Sequence, residues 1–263
     1  MAVASTNEQK QSLIKIAKLN GKAEIFYSIQ GEGRSVGVPS VFVRSSLCNL
    51  YCTWCDTDYT WNWEGTDFEH VRDTQPGYKK FKKEQQIILL TPREIVDEVL
   101  QFDCTNVVLT GGEPLMQQEN WVEVIDGLRS ARSGYFIEVE TNGTILPGTR
   151  FDSGVNQYNV SPKLDNSRIA RRVRERPEIL RFFADSEKAY FKFVVVDESD
   201  LDEILELQGR YRMNGDRILL MPEGTSINEL RGREAFTVEM CKKHGFRYSD
   251  RLHIRIFGER RGT

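Results

Sequence analysis

The run Val107-Val108-Leu109-Thr110-Gly111-Gly112-Glu113-Pro114 decides how this chain folds. Its first three residues have the apolar, β-branched character of a short buried strand, and the polar, glycine-rich cluster behind them ends that strand abruptly. Working outward, four more runs share this character: Tyr135 to Val139, Gln157 to Val160, Tyr190 to Val196 and Ile218 to Met221. Amphipathic helical stretches lie between several of them, for example Trp121 to Leu128, with Val124, Ile125 and Leu128 on one side, and Leu201 to Leu207. Such alternation predicts parallel strands joined by right-handed crossovers, an α/β fold built as a partial, open parallel β/α barrel. No internal repeat stands out.

Three of these four runs also end in a comparable cluster: Glu140-Thr141-Asn142-Gly143, Ser161-Pro162-Lys163 and Pro222-Glu223-Gly224. Glycine and proline ending a strand would explain any one of them. Together, on parallel strands, they gather at the C-terminal edge, where barrel enzymes place their active sites. Upstream, Glu24 to Ile29 reads as a strand running into Gln30-Gly31-Glu32-Gly33, whose glycines fit a hairpin turn or a close backbone approach equally well. Residues up to Leu19 read as a short, weak helix or a frayed end. Thr91-Pro92-Arg93-Glu94 carries a capping box before the stripe Ile95, Val99 and Phe102. Trp61 to Gln86 is polar and aromatic, and is expected to be a solvated hairpin, with a mobile lid or docking surface as the alternative.

Pro39 to Ser45, another strand, leads into Cys48-Asn49-Leu50-Tyr51-Cys52-Thr53-Trp54-Cys55-Asp56-Thr57. Three thiolates so close in sequence suit an iron-sulfur cluster, and a short loop can hold three corners of a cubane while leaving one iron open. A zinc site would need a fourth ligand, His70 or a distant cysteine, and a thioredoxin-like pair at Cys52 and Cys55 leaves Cys48 unexplained. Cys104 and Cys241 fall in apolar or helical surroundings and are expected to pack in the core. The five cysteines suggest no disulfide framework, and no run of residues resembles a membrane span or signal, so a cytoplasmic location is expected. A net charge of −3 argues against a nucleic-acid face; the arginines from Arg168 to Arg181 alternate with Glu175 and Glu178 and read as a solvated helix.

The spacing Cys48-x3-Cys52-x2-Cys55, with Thr110-Gly111-Gly112-Glu113-Pro114, resembles the radical S-adenosylmethionine superfamily. That resemblance implies a 4Fe-4S cluster whose open iron is chelated by S-adenosyl-L-methionine. Reductive cleavage then gives methionine and a 5′-deoxyadenosyl radical that takes a hydrogen atom from the substrate. Further residues narrow the match: Glu24 to Gly33, Arg44, Cys55-Asp56-Thr57, Glu140 to Gly143, Ser161 to Lys163, Leu252-His253 to Gly258 and Arg261-Gly262 resemble the 7-carboxy-7-deazaguanine synthases. The resemblance implies a magnesium-dependent lyase that converts 6-carboxy-5,6,7,8-tetrahydropterin into 7-carboxy-7-deazaguanine with release of ammonia, in queuosine and 7-deazapurine biosynthesis.

By position, it implies that Cys48, Cys52 and Cys55 bind the cluster and that Thr57 binds Mg2+. Trp54, Cys55, Asp56, Gly112, Ser161, Pro162 and Lys163 are the implied contacts of S-adenosylmethionine. Ile29, Gln30, Gly31, Arg44, Thr110 and the C-terminal Thr263 are those of the substrate, with Glu140 a further candidate. The implied partners are a small pterin, a flavodoxin-like or ferredoxin-like electron donor and a second copy in a homodimer, with no nucleic acid and no membrane. The expected organisation is an N-terminal extension over residues 1–22 and a single radical SAM domain over 23–263, with an insertion at 61–86. The alternatives are a glycyl-radical-activating enzyme of the same superfamily and a non-catalytic iron-sulfur binding module.

Overall fold

The computed structural model describes residues 12–263. Its strands are β1 (Ile14–Leu19), β2 (Lys22–Ala23), β3 (Ile25–Ile29), β4 (Pro39–Ser45), β5 (Ile87–Leu90), β6 (Asn106–Gly111), β7 (Phe136–Thr141), β8 (Gln157–Val160), β9 (Ala189–Val195), β10 (Ile218–Pro222) and β11 (Arg247–Tyr248). The helices are α1 (Lys83–Gln86), α2 (Pro92–Val99), α3 (Gln118–Ala131), α4 (Thr149–Gly154), α5 (Arg171–Arg174), α6 (Pro177–Asp185), α7 (Asp200–Tyr211), α8 (Ile227–His244) and α9 (Leu252–Phe257).

Strands β4, β6, β7, β8, β9, β10 and β11 are parallel neighbours in that order. β3 and β1 pair antiparallel with β4, and no pairing among the described residues joins them to β10 or β11, so the barrel stays open. The two-residue period of a strand sorts the side chains. Val41, Val43, Val107, Leu109, Ile137, Val139, Tyr158, Val160, Phe191 and Phe193 join a core with Ile95, Trp121, Ile125, Leu128, Phe183 and Leu207 of the helices. The alternate residues Arg44, Thr110, Glu138, Glu140, Gln157, Asn159 and Lys192 take the opposite, concave face. The capping box of α2 forms as expected, Thr91 accepting from the Glu94 N–H while the Glu94 carboxylate accepts from the Thr91 N–H. Cys104 and Cys241 are buried thiols.

Three local expectations are corrected. Ile14–Leu19 is a strand, with Ile14 and Ile16 buried on one side of exposed Lys15, and it pairs with β5 and β4. Period-2 burial with partner strands overrides weak helical character there; the part of the predicted helix before Ser12 lies outside the described residues. The stretch from Trp61 to Gln86 is no solvated hairpin. Trp61, Phe68, His70, Tyr78 and Phe81 form a packed aromatic lobe, with Tyr51 of the cysteine loop stacked on Phe68. The arginine-rich run is broken into α5 and α6, because Pro177 cannot continue a helix, and Arg174 is buried, donating to Glu203 at 2.5 Å and to the Lys163 carbonyl at 2.9 Å. No described helix is long and apolar enough to cross a membrane.

Candidate active site

The concave face ends in a cavity of ≈ 240 Å³ at the C-terminal edge of the parallel strands. Cys48, Cys52, Trp54, Cys55, Asp56 and Thr57 form one wall; Ile29, Gln30, Gly31, Arg44, Thr110, Gly112, Glu140, Ser161 and Lys163 line the rest, and Thr263 reaches its rim from the tail. Of the residues that the sequence assigns to the cluster, the cofactor, magnesium and the substrate, Pro162 alone does not line it; that ring is buried between Ser161 and Lys163.

The cysteine loop is held by backbone that only glycine permits. Gly111 has φ +121°, and a Cβ there would run into the Ser45 carbonyl, while one at Gly112 would run into the carbonyl of Leu47. With those atoms absent, Gly112 N–H donates to Ser45 O at 3.1 Å and Glu113 N–H to Leu47 O at 2.8 Å, clamping the strand end to the start of the loop. Asn142 donates to Asn49 at 2.8 Å, and Thr53 N–H to Ser167 O at 3.1 Å. Burial pushes the Cys52 thiol up to about 12 and raises those of Cys48 and Cys55, so bare thiolates are unfavourable there without a cation.

Two buried charge networks, unforeseen in the sequence, frame the cavity. Burial would raise the Glu32 carboxyl, but Lys192, Arg251 and His253 hold it well below the usual carboxylate range. Arg251 also pairs with Asp56, whose carboxyl stays low against burial for that reason, and donates to the Gly224 carbonyl. One guanidinium thus ties the cysteine loop, the turn after β3 and the end of β10 together. The other network centres on Glu24, 1% exposed, which accepts from Arg44 Nε at 3.2 Å, Tyr59 at 3.2 Å and Arg261 at 2.6 Å. The only sequence signals were Lys192, a lone charge inside an apolar strand, and arginines in the tail.

Gln30 lines the cavity with its amide committed inside the protein: Nε2 donates to Glu138 at 2.8 Å and Glu140 at 3.1 Å, and Oε1 accepts from Glu32 N–H at 3.1 Å. Glu140 also accepts from Thr110 at 2.6 Å, which fixes its carboxylate at the cavity wall. Gly31 is required by a close approach, since a Cβ there would meet the His253 ring.

The Radical SAM superfamily model matches residues 42–207, from β4 into α7. A 7-carboxy-7-deazaguanine synthase of Halobacterium salinarum is 36% identical over 90% of this chain and 90% of its own, and one of Rhodopirellula baltica is 35% identical over 92% and 88%. The chain belongs to the 7-carboxy-7-deazaguanine synthase family. The crystal structure of Escherichia coli QueE shares the fold, with a TM-score of 0.61, 24% identity and coverage of 92% of this chain and 95% of that one. Streptococcus suis SuiB, solved bound to S-adenosylmethionine, aligns at a TM-score of 0.50 with 10% identity, covering 82% of this chain and 54% of its own.

As a member of the 7-carboxy-7-deazaguanine synthase family the chain is a radical SAM enzyme, which implies a 4Fe-4S cluster and S-adenosylmethionine, and its own residues fit both. The three thiols are free and face one cavity. Among the described residues no three His, Cys, Asp or Glu side chains are placed to hold a single metal ion. His70 is spent elsewhere, its Nε2 2.8 Å from the Cys55 carbonyl and its Nδ1 accepting from Arg72 N–H at 3.2 Å, which removes the expected fourth ligand of a zinc site. Sulfur-directed donors are present: Leu50 N–H lies 3.5 Å and Asn142 Nδ2 4.0 Å from Cys48 Sγ, and the Thr57 hydroxyl 3.5 Å from Cys55 Sγ.

Proposed function

We propose that this enzyme converts 6-carboxy-5,6,7,8-tetrahydropterin into 7-carboxy-7-deazaguanine with loss of ammonia. The observation that carries the reading is the polarity of the cavity: it opposes a guanidinium suited to a carboxylate with a carboxylate suited to ring N–H groups. Arg44 spends Nε on Glu24, which leaves both terminal nitrogens for a bidentate bond to the substrate carboxylate. Glu140, pinned by Gln30 and Thr110, presents its remaining lone pairs to the N–H donors of a pterin.

Cys48, Cys52 and Cys55 hold the cluster. Trp54, Cys55, Asp56, Gly112, Ser161, Pro162 and Lys163 hold S-adenosylmethionine, with Pro162 acting through the loop it stiffens. When bound, these two groups supply a reducing electron and a radical able to remove hydrogen from the substrate. The Thr57 hydroxyl faces the cavity as the protein ligand of Mg2+, a cation that keeps water and substrate oxygens as its other ligands. Ile29 and Gly31 offer backbone contacts, and Thr263, carried on a tail anchored by Arg261 to Glu24, closes the rim and excludes water. Residues 23–263 form one domain with an insertion at 61–86. The family resemblance supports a cytoplasmic homodimer reduced by a flavodoxin-like or ferredoxin-like protein.

Anaerobically reconstituted, reduced enzyme with S-adenosylmethionine and magnesium is expected to turn the carboxylated pterin over to the deazaguanine, read by mass spectrometry together with ammonia. Unchanged substrate in the presence of an intact cluster overturns the reading.

A further inference from the structure

Of the six arginines between Arg168 and Arg181, five are exposed and Arg174 is buried. A guanidinium is costly to take out of water unless its donors are used, so its partners say what it is there for. Nε donates to the Ile169 carbonyl at 2.9 Å and Nη1 to the Lys163 carbonyl at 2.9 Å, and Nη1 also meets Glu203 at 2.5 Å. One planar group therefore ties together the two ends of the segment 163–169. Its charge is balanced by Glu203 of α7, whose other carboxylate oxygen accepts from Asp165 N–H at 2.8 Å inside the same segment.

The other side of that segment faces the site. The Asn166 carbonyl accepts from the Trp54 indole at 3.1 Å, and the Ser167 carbonyl from Thr53 N–H at 3.1 Å, so the cysteine loop is fastened to it. Lys163 Nζ lies 5.6 Å from the centre of the Trp54 ring and 2.9 Å from the Ser161 hydroxyl. Trp54, Ser161 and Lys163 line the cavity, whereas Arg174 stands behind them. A buried guanidinium outside the cavity thus sets the spacing between the cysteine loop and the strand end after β8.

We propose that Arg174 is a positioning residue for S-adenosylmethionine: by holding the main chain from Lys163 to Ile169 it fixes Lys163 and Trp54 at one separation. The rigid fork of donors matters here, because a flexible ammonium can pair with Glu203 but has no fixed geometry with which to hold two carbonyls as well. The inference rests on the reading of Ser161 to Lys163 as cofactor contacts.

The test is equilibrium binding of S-adenosylmethionine to reconstituted holoenzyme, with hydrogen–deuterium exchange of the same protein read by mass spectrometry. Removing Arg174 alone would leave Glu203 charged and unpaired, so the deciding variant combines Arg174→Met with Glu203→Gln, which keeps an acceptor for Asp165 N–H. It is expected to retain its iron and sulfide, to raise the Kd for S-adenosylmethionine roughly tenfold while leaving that for the pterin unmoved, and to exchange faster over 163–169 and at Thr53. Should it fail to fold, Arg174→Lys, which keeps the charge beside Glu203, decides by the same Kd. An intact cluster with an unmoved Kd for S-adenosylmethionine, or an equal loss of pterin affinity, overturns this inference alone. Lys163→Met is expected to raise the same Kd; if it does not, the reading of that strand end as a cofactor contact falls, and this inference with it.

Discussion

Arg251→Met probes the joint on which the site is assembled. The substitution keeps most of the side-chain volume and removes the charge that pairs with both Glu32 and Asp56 and the donor to Gly224 O. Truncating one member of a buried ion pair costs about 3–5 kcal/mol, because the partner is left charged and unpaired. Here the lower end applies. Glu32 keeps Lys192, and the Asp56 side chain, 35% exposed, can recover water, whereas Glu32 at 14% recovers little. A loss of about 3 kcal/mol in urea denaturation, with unchanged m, is therefore expected.

The pH dependence follows with a definite sign. Both carboxyls are held below their ordinary values, so their contribution is present above the unfolded pKa values of 4.5 and 3.8 and is lost as pH falls through the folded ones. Arg251→Met should shrink that acid-side loss, and Glu32→Gln should recover part of the penalty in the double variant, since an unpaired charge is its source. An unchanged urea midpoint in Arg251→Met, or strict additivity with Glu32→Gln, refutes the reasoning.

Other substitutions separate binding from structure. Arg44→Gln is expected to raise KM for the pterin by roughly tenfold to a hundredfold, the worth of a charge-assisted hydrogen bond, with cluster content unchanged by iron analysis. Thr57→Ala should weaken magnesium stimulation of turnover more than cluster assembly; equal loss of both marks Thr57 as structural. Burial raises Glu138 from 4.5 to about 7 against the amide donors around it, so its stability contribution is full below pH 4.5 and is lost as pH rises to about 7. Glu138→Gln should flatten that slope, by on the order of 3 kcal/mol between pH 4.5 and 8 in chemical denaturation; an unaltered slope contradicts the assignment.

The primary structure by itself determined the ligand loop, the strand ends and the parallel barrel. These are local signals: cysteine spacing, apolar runs ended by glycine and proline, and capping chemistry at Thr91 are written over ten residues or fewer. Even the inward polar pair of β7, Glu138 and Glu140 alternating with Ile137 and Val139, is visible once the strand is known. What the strand at Ile14–Leu19 pairs with, and so that it is a strand at all, depends on β4 and β5, which lie tens of residues away.

Only the tertiary structure decided the charge networks and the lobe. Arg251 meets Asp56 and Glu32 across 195 and 219 residues of chain, and Arg261 meets Glu24 across 237, distances at which no spacing rule operates. The aromatic residues between Trp61 and Phe81 look solvated in sequence because they are interrupted by lysines and acids. In the fold their rings turn inward onto Tyr51 of the cysteine loop, since burying aromatic area outweighs the polar residues left at the surface. That Arg174 alone of the arginines in its run turns inward is likewise invisible until every acceptor has been placed in space, because a hydrogen bond is a matter of distance and angle rather than of order along the chain.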